Sequence, residues 1–184
     1  GIALTPLIRL WLLRRARRGK EDTNRLSERF GHASAARPTG TLVWLHAASV
    51  GETQSVLTLV RALLAADPTL HLLVTTGTVT SAALVAQQKL ERVIHQFIPV
   101  DTFFSVKRFL THWHPDLALW VESELWPQLL WQTHDRRIPI LLINARMSSR
   151  SFEGWKKWPR TIRRLLDCFD AIYAGSKTDA QHFA

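Results

Sequence analysis

A single cysteine, Cys168, occurs in 184 residues. No internal disulfide can form and no Cys/His cluster has metal-ligand spacing, so a reducing compartment is expected, with Cys168 as a small buried hydrophobe. His112 and His114 flank Trp113 without a third ligand in reach, which argues against zinc. Both G-x-G-x-x-G spacing and a Walker lysine are missing, excluding a dinucleotide fingerprint and a P-loop. No apolar run reaches the ~20 residues that a spanning helix needs. The nearest approach, Gly1 to Leu13, is interrupted by Pro6 and Arg9. Its charges follow the apolar residues and no small-residue cleavage site appears, which argues against a cleaved signal peptide. Internal repeats and low-complexity tracts are absent too.

What is present is enough apolar material, 46% of the chain, for one domain with its own core. The chain begins at Gly1 and ends at Phe183-Ala184 inside a helix-like segment, so it reads as part of something longer. Charge is uneven: +6 over residues 1–40, 0 over 41–149 and +3 over 150–184. A basic end on a neutral body argues against a nucleic-acid groove across the domain. Residues 1–20, with Trp11 at the apolar boundary and Arg14-Arg15-Ala16-Arg17-Arg18 after it, suit an amphipathic anchor or the last turns of a spanning helix, favouring an anionic lipid surface. A solvated basic helix packed on the domain is the alternative. Residues 21–40 read as a polar connector, and 41–184 as the domain proper.

Short apolar runs at Thr41–His46, Leu70–Thr75, Val93–Pro99, Leu117–Glu122, Ile138–Ile143 and Ala171–Ala174 lack strict alternation, as strands covered on both faces do. Between them, Glu52–Ala66, Val79–Leu90, Phe103–His112, Leu125–His134 and Gly154–Leu166 carry helical spacing. This βα alternation predicts an α/β fold, a doubly wound parallel sheet of Rossmann-like kind. In the common order 3-2-1-4-5-6 the first and fourth strands meet where the crevice opens.

The chain is organised around His46-Ala-Ala-Ser-Val-Gly-Glu52, a turn from the first strand into the first domain helix. Glu52 follows strand one and Glu122 ends strand four, so two carboxylates should face one another across the crevice. Each has a plainer reading. Ser49-Val50-Gly51-Glu52 matches a capping box, and a helix N-terminus favours the charged form of an acid, which weakens a base; a second acid nearby opposes that effect. Glu122 and Glu124 could be solvated strand-tip residues, although Trp120 and Trp126 favour partial burial. Thr75-Thr76-Gly77-Thr78 offers hydroxyls and a glycine ahead of a helix, suiting an anion or a sugar. Asn144-Ala-Arg146-Met-Ser148-Ser-Arg150 offers two guanidinium groups for carboxylates or phosphates.

In order and spacing, His46-Ala-Ala-Ser-Val-Gly-Glu52, Thr75-Thr-Gly-Thr-Val-Thr-Ser81, Pro115-Asp116, Glu122-Ser-Glu-Leu-Trp-Pro127, Ile138-Pro139 and Asn144-Ala-Arg-Met-Ser148 resemble the N-terminal half of 3-deoxy-D-manno-octulosonic acid (Kdo) transferases. Glu28-Arg-Phe-Gly31 and the basic segment before it share the similarity. The resemblance implies a GT-B glycosyltransferase without a metal or other cofactor, moving Kdo by inversion from a CMP-Kdo donor to a lipid A precursor acceptor. It places the enzyme on the cytoplasmic face of the Gram-negative inner membrane. By the same resemblance, Glu52 is the proton acceptor and Glu122 the transition-state stabiliser. Ser49, Gly51, Thr76, Gly77, Thr78, Glu124, Arg146, Ser148 and Arg150 become the expected substrate-binding residues, and CMP binding is assigned to a C-terminal domain outside this chain. Ser123 and Gln128 stand where Thr and Asn are common, leaving the acids in place. The lack of an Asp-x-Asp pair fits metal-independent transfer.

Overall fold

The computed structural model describes residues 5–122 and 124–183; the first four residues of the expected anchor, the Ser123 departure and Ala184 lie outside the described residues. Six strands, β1 (Leu42–His46), β2 (His71–Thr76), β3 (Val93–Phe97), β4 (Leu117–Val121), β5 (Ile140–Ala145) and β6 (Ala171–Ala174), form one sheet in the order β3-β2-β1-β4-β5-β6. All five pairings are parallel. The expected doubly wound order is therefore observed, with β1 between β2 and β4 and His46 in register with Trp120.

The continuous apolar runs serve two faces because side chains alternate along a strand. From β1, Leu42 and Trp44 join Trp120, Phe109, Leu110, Trp113 and Leu129, under helices α4 (Phe103–Trp113) and α5 (Pro127–Asp135). Val43 and Leu45 turn the other way, onto Val56 and Val60 of α2 (Val50–Ala66) and Val85 of α3 (Val79–Gln87). Trp44 meets Trp120 edge-on at 4.8 Å and Phe109 at 4.9 Å between ring centroids, so the aromatic layer lies directly beneath the β1–β4 seam.

Two expectations need correction. The helix expected over Gly154–Leu166 is two helices, α6 (Ser149–Trp155) and α7 (Pro159–Leu166). Pro159 has no N–H to continue a helix and instead starts the second one, while Ser148 caps the first through its bond from the Ser151 N–H. Residues 21–40, expected as a polar connector, contain a 3-10 helix, Thr23–Phe30, with Glu28 and Arg29 buried against the sheet. It closes on Gly31 at φ 81°, where a Cβ would stand 2.0 Å from the Ser105 carbonyl oxygen, so glycine is required there both by conformation and by space.

Before it, α1 (Thr5–Arg17) packs Leu12 into the domain and leaves Leu7, Leu10, Trp11 and Leu13 exposed beside its arginines. Among the described residues no helix is long and apolar enough to cross a membrane. The last helix, α8 (Lys177–Phe183), returns beside β6.

Candidate active site at the carboxyl end of the sheet

The turn Ala47-Ala48-Ser49 leads from β1 into α2, and Ser49 is the N-cap of that helix. Its Oγ accepts from the Glu52 N–H at 3.3 Å and donates to Glu52 Oε1 at 2.7 Å. The other carboxylate oxygen, Oε2, accepts from the Ala48 N–H at 2.9 Å. Glu52 is thus a capping residue in geometry, with the reach-back bond landing one residue before the cap. Its carboxylate is buried and aimed by two donors, yet each oxygen keeps a further lone-pair direction for a ligand proton. The capping and catalytic readings are compatible, since the box is what fixes the carboxylate.

Glu122 follows β4 with its backbone in the left-handed region, φ 61°, held by its N–H to the Ile143 carbonyl at 3.1 Å. Such a φ is uncommon for a residue with a Cβ and concentrates at functional sites. Burial raises the Glu122 carboxyl pKa first, the Glu52 charge raises it further and Arg146 opposes both. Glu124 is raised by burial, lowered by the Trp126 indole, and raised again by Glu52 and Glu122. Its carboxylate accepts from Trp126 Nε1 at 2.7 Å, and its carbonyl accepts from Trp120 Nε1 at 2.5 Å. Three carboxylates and the Arg146 guanidinium therefore share one electrostatic neighbourhood, assembled from the ends of β1, β4 and β5.

The other expected residues divide. Ser148 accepts from the Ser151 N–H at 3.2 Å as the cap of α6; Arg146 and Ser148 are exposed on the loop after β5, and Arg150 is exposed in the first turn of α6. Asp179 of α8 ties the loop down, accepting from the Met147 N–H at 2.9 Å. Gly51 is exposed in the first turn of α2, and a Cβ there would meet nothing within 4 Å. By contrast, Thr76 Oγ1 is engaged with His95 Nε2 at 2.9 Å, and Thr78 Oγ1 caps α3 by accepting from the Ser81 N–H at 3.1 Å. Gly77 packs on the Ala48 carbonyl, which accepts its N–H at 3.0 Å. Of the three, Gly77 braces the turn that carries Glu52, while the two threonine hydroxyls are engaged with His95 and Ser81.

Two residues at this end were given no role from the sequence. Asp101, in the loop after β3, accepts from the backbone N–H groups of Gln128 at 3.1 Å and Leu129 at 2.8 Å. It caps α5 from outside, a service Trp126 at the N-cap position cannot provide, and so anchors the segment after Glu124. Burial raises its pKa. His46, fully buried under the turn, has Nδ1 3.0 Å from Thr75 Oγ1, which also accepts from Trp44 Nε1 at 2.8 Å. Burial lowers the His46 pKa to about 4, so the imidazole is neutral. A Pro-Val-Asp run just before a helix and a histidine closing an apolar strand were the available signals. Among the described residues no group of three His, Cys, Asp or Glu side chains could hold a metal ion.

The family model described as 3-deoxy-D-manno-octulosonic-acid transferase matches residues 24–184. An Arabidopsis thaliana protein named "Probable 3-deoxy-D-manno-octulosonic acid transferase, mitochondrial" is 42% identical over 83% of this chain and 34% of its own length. The 3-deoxy-D-manno-octulosonic acid transferase of Rickettsia bellii is 38% identical over 90% of this chain and 39% of its own length. That of Haemophilus influenzae is 34% identical over 87% and 38%. The chain thus spans between a third and two fifths of the length of these relatives. It belongs to the 3-deoxy-D-manno-octulosonic acid transferase family.

Proposed function

We propose that this chain is the acceptor-side domain of a GT-B glycosyltransferase that moves Kdo from CMP-Kdo to a lipid A precursor in lipopolysaccharide biosynthesis. The observation that carries the reading is the acid pair: Glu52, in the first turn of the helix after β1, and Glu122, at the end of β4, stand over adjacent strands at the switch point, where open α/β sheets bind their ligands. Glu52 takes the proton from the acceptor hydroxyl as that oxygen attacks the anomeric carbon. The bond to the CMP phosphate breaks on the opposite face, which inverts the centre. Glu122 stabilises the positive charge that develops on the sugar, and Arg146 with Arg150 receives anionic groups of the substrates.

The donor's CMP is held by a second domain, in keeping with relatives more than twice as long as this chain. No metal or organic cofactor takes part. The exposed face of α1, Leu7, Leu10 and Trp11 with Arg14 and Arg17 alongside, rests on the anionic cytoplasmic surface of the inner membrane, where the acceptor lies. Transfer by the full-length enzyme and by its Glu52→Gln form, with CMP-Kdo and a lipid A precursor, tests the reading. Equal rates would reject Glu52 as base, and absence of transfer by the unaltered enzyme would reject the activity.

A further inference from the structure

The buried ion network of the 3-10 helix plays no part in the chemistry above, yet it ends on the turn that carries the base. Arg29, 6% exposed, donates from Nε to Glu21 Oε2 at 2.9 Å, from Nη1 to the Ile98 carbonyl at 3.1 Å and from Nη2 to the Gly77 carbonyl at 2.6 Å. Its guanidinium lies 4.9 Å from the Phe97 ring centroid. Gly77 in turn donates its N–H to the Ala48 carbonyl at 3.0 Å, and a Cβ at Gly77 would come within 2.8 Å of that same oxygen. Ala48 then donates its own N–H to Glu52 Oε2 at 2.9 Å. Burying a guanidinium is costly unless its donors are satisfied, and here two of its three partners are the carbonyls of loops at the mouth of the crevice.

The geometry points to Arg29 as a positioning residue for Glu52: it clamps Gly77 onto Ala48, and Ala48 aims one oxygen of the carboxylate. None of its hydrogen bonds goes to Glu52 or Glu122, so it acts through the loop. A lysine would keep the charge but not the planar fork that serves a carboxylate and two carbonyls at once. A displacement of about 1 Å in a group that must meet a reacting proton lowers rates by roughly 10². The inference rests on Glu52 being the base, as proposed above.

The test is a double-mutant cycle in the full-length enzyme, with Arg29→Lys and Gly77→Ala each made alone and each combined with Glu52→Gln. Circular dichroism and thermal melting report the fold. Gly77→Ala disturbs the same contact and leaves the buried Arg29–Glu21 ion pair untouched, so it stands if Arg29→Lys misfolds. Each single change is expected to lower kcat by roughly 10- to 100-fold with little change in the donor KM. In the Glu52→Gln background, where no base remains to be aimed, the same changes should lower kcat by less than about twofold. Losses that multiply in full in that background would overturn the positioning role, as would wild-type kcat in both singles or collapse of both folds. Wild-type transfer by Glu52→Gln alone sinks the base assignment and this inference with it, and is seen in a separate arm.

Discussion

Glu52 and Glu122 follow neighbouring strands, β1 and β4, and the chain holds them in contrasting ways. Glu52 is buried in the first turn of a helix, with both carboxylate oxygens engaged by donors from the four residues before it. Glu122 is partly exposed on a left-handed backbone, and its carboxyl is pushed up by burial and by Glu52 itself. The first acid is aimed by local hydrogen bonds, whereas the second is set in place by topology and tuned by its neighbour's charge. A pair built this way gives one carboxylate a fixed direction and the other a variable charge, as the proposed roles of proton acceptor and electrostatic stabiliser require.

The sharpest way to break that contrast is Glu52→Gln in the full-length enzyme. A glutamine can still take the Ala48 N–H on its oxygen and donate to Ser49 Oγ, so the cap should survive with well under ~1 kcal/mol lost. The proposed proton acceptor is gone, and a rate loss of roughly 10² to 10⁴ is expected. Near-wild-type transfer with an unchanged melting temperature would leave Glu52 as a cap alone.

Glu122→Gln should do less, on the order of 10², because it removes electrostatic stabilisation while the base stays in place. A loss larger than that of Glu52→Gln would reverse the assignment of roles. The two single variants, assayed with the same acceptor and pH, decide it.

A titration then sharpens the coupling between the acids. Since the folded Glu122 pKa is raised, the native state binds the extra proton between the unfolded and folded values, and in that window stability falls as pH rises. The Glu52→Gln change deletes one cause of the raise and should move the Glu122 titration to lower pH. Arg146→Ala deletes the opposing charge and should move it to higher pH. Carbon-detected NMR of the side-chain carboxyl follows both; an unmoved Glu122 in Glu52→Gln would mean the carboxylates do not feel one another.

The contrast also explains what could be read from residues alone. Strand runs of Val, Ile and Leu alternating with helical spacing were enough for the sheet order, and Ser49-Val-Gly-Glu52 announces its own turn because all its bonds are local. The bracing around it was not legible, for its partners are far off in sequence: Glu28 accepts from the Phe97 N–H, and Arg29 reaches Gly77 and Ile98. A buried arginine in a segment rich in charge looks like a solvated connector until the fold supplies those partners. The bonds of Thr76 and Thr78 were hidden for a related reason, since a free hydroxyl and one capping a helix are the same letters. The break at Pro159 was legible and the helical spacing on either side masked it.

The smallest effect bears on the backbone of Glu122. A left-handed conformation costs a residue with a Cβ about 1–2 kcal/mol, which glycine avoids. Glycine gives back roughly 0.5–1 kcal/mol of that through the greater freedom of its unfolded chain. Glu122→Gly also removes a carboxyl whose charge is disfavoured by burial and by Glu52. The terms together predict a domain as stable as the parent or more so by up to about 1 kcal/mol, while transfer by the full-length enzyme falls at least as far as in Glu122→Gln. Thermal unfolding measures the first quantity and initial rates the second. A variant that is clearly destabilised would mean the side chain, and not the topology, holds this turn, and the contrast with Glu52 would be lost.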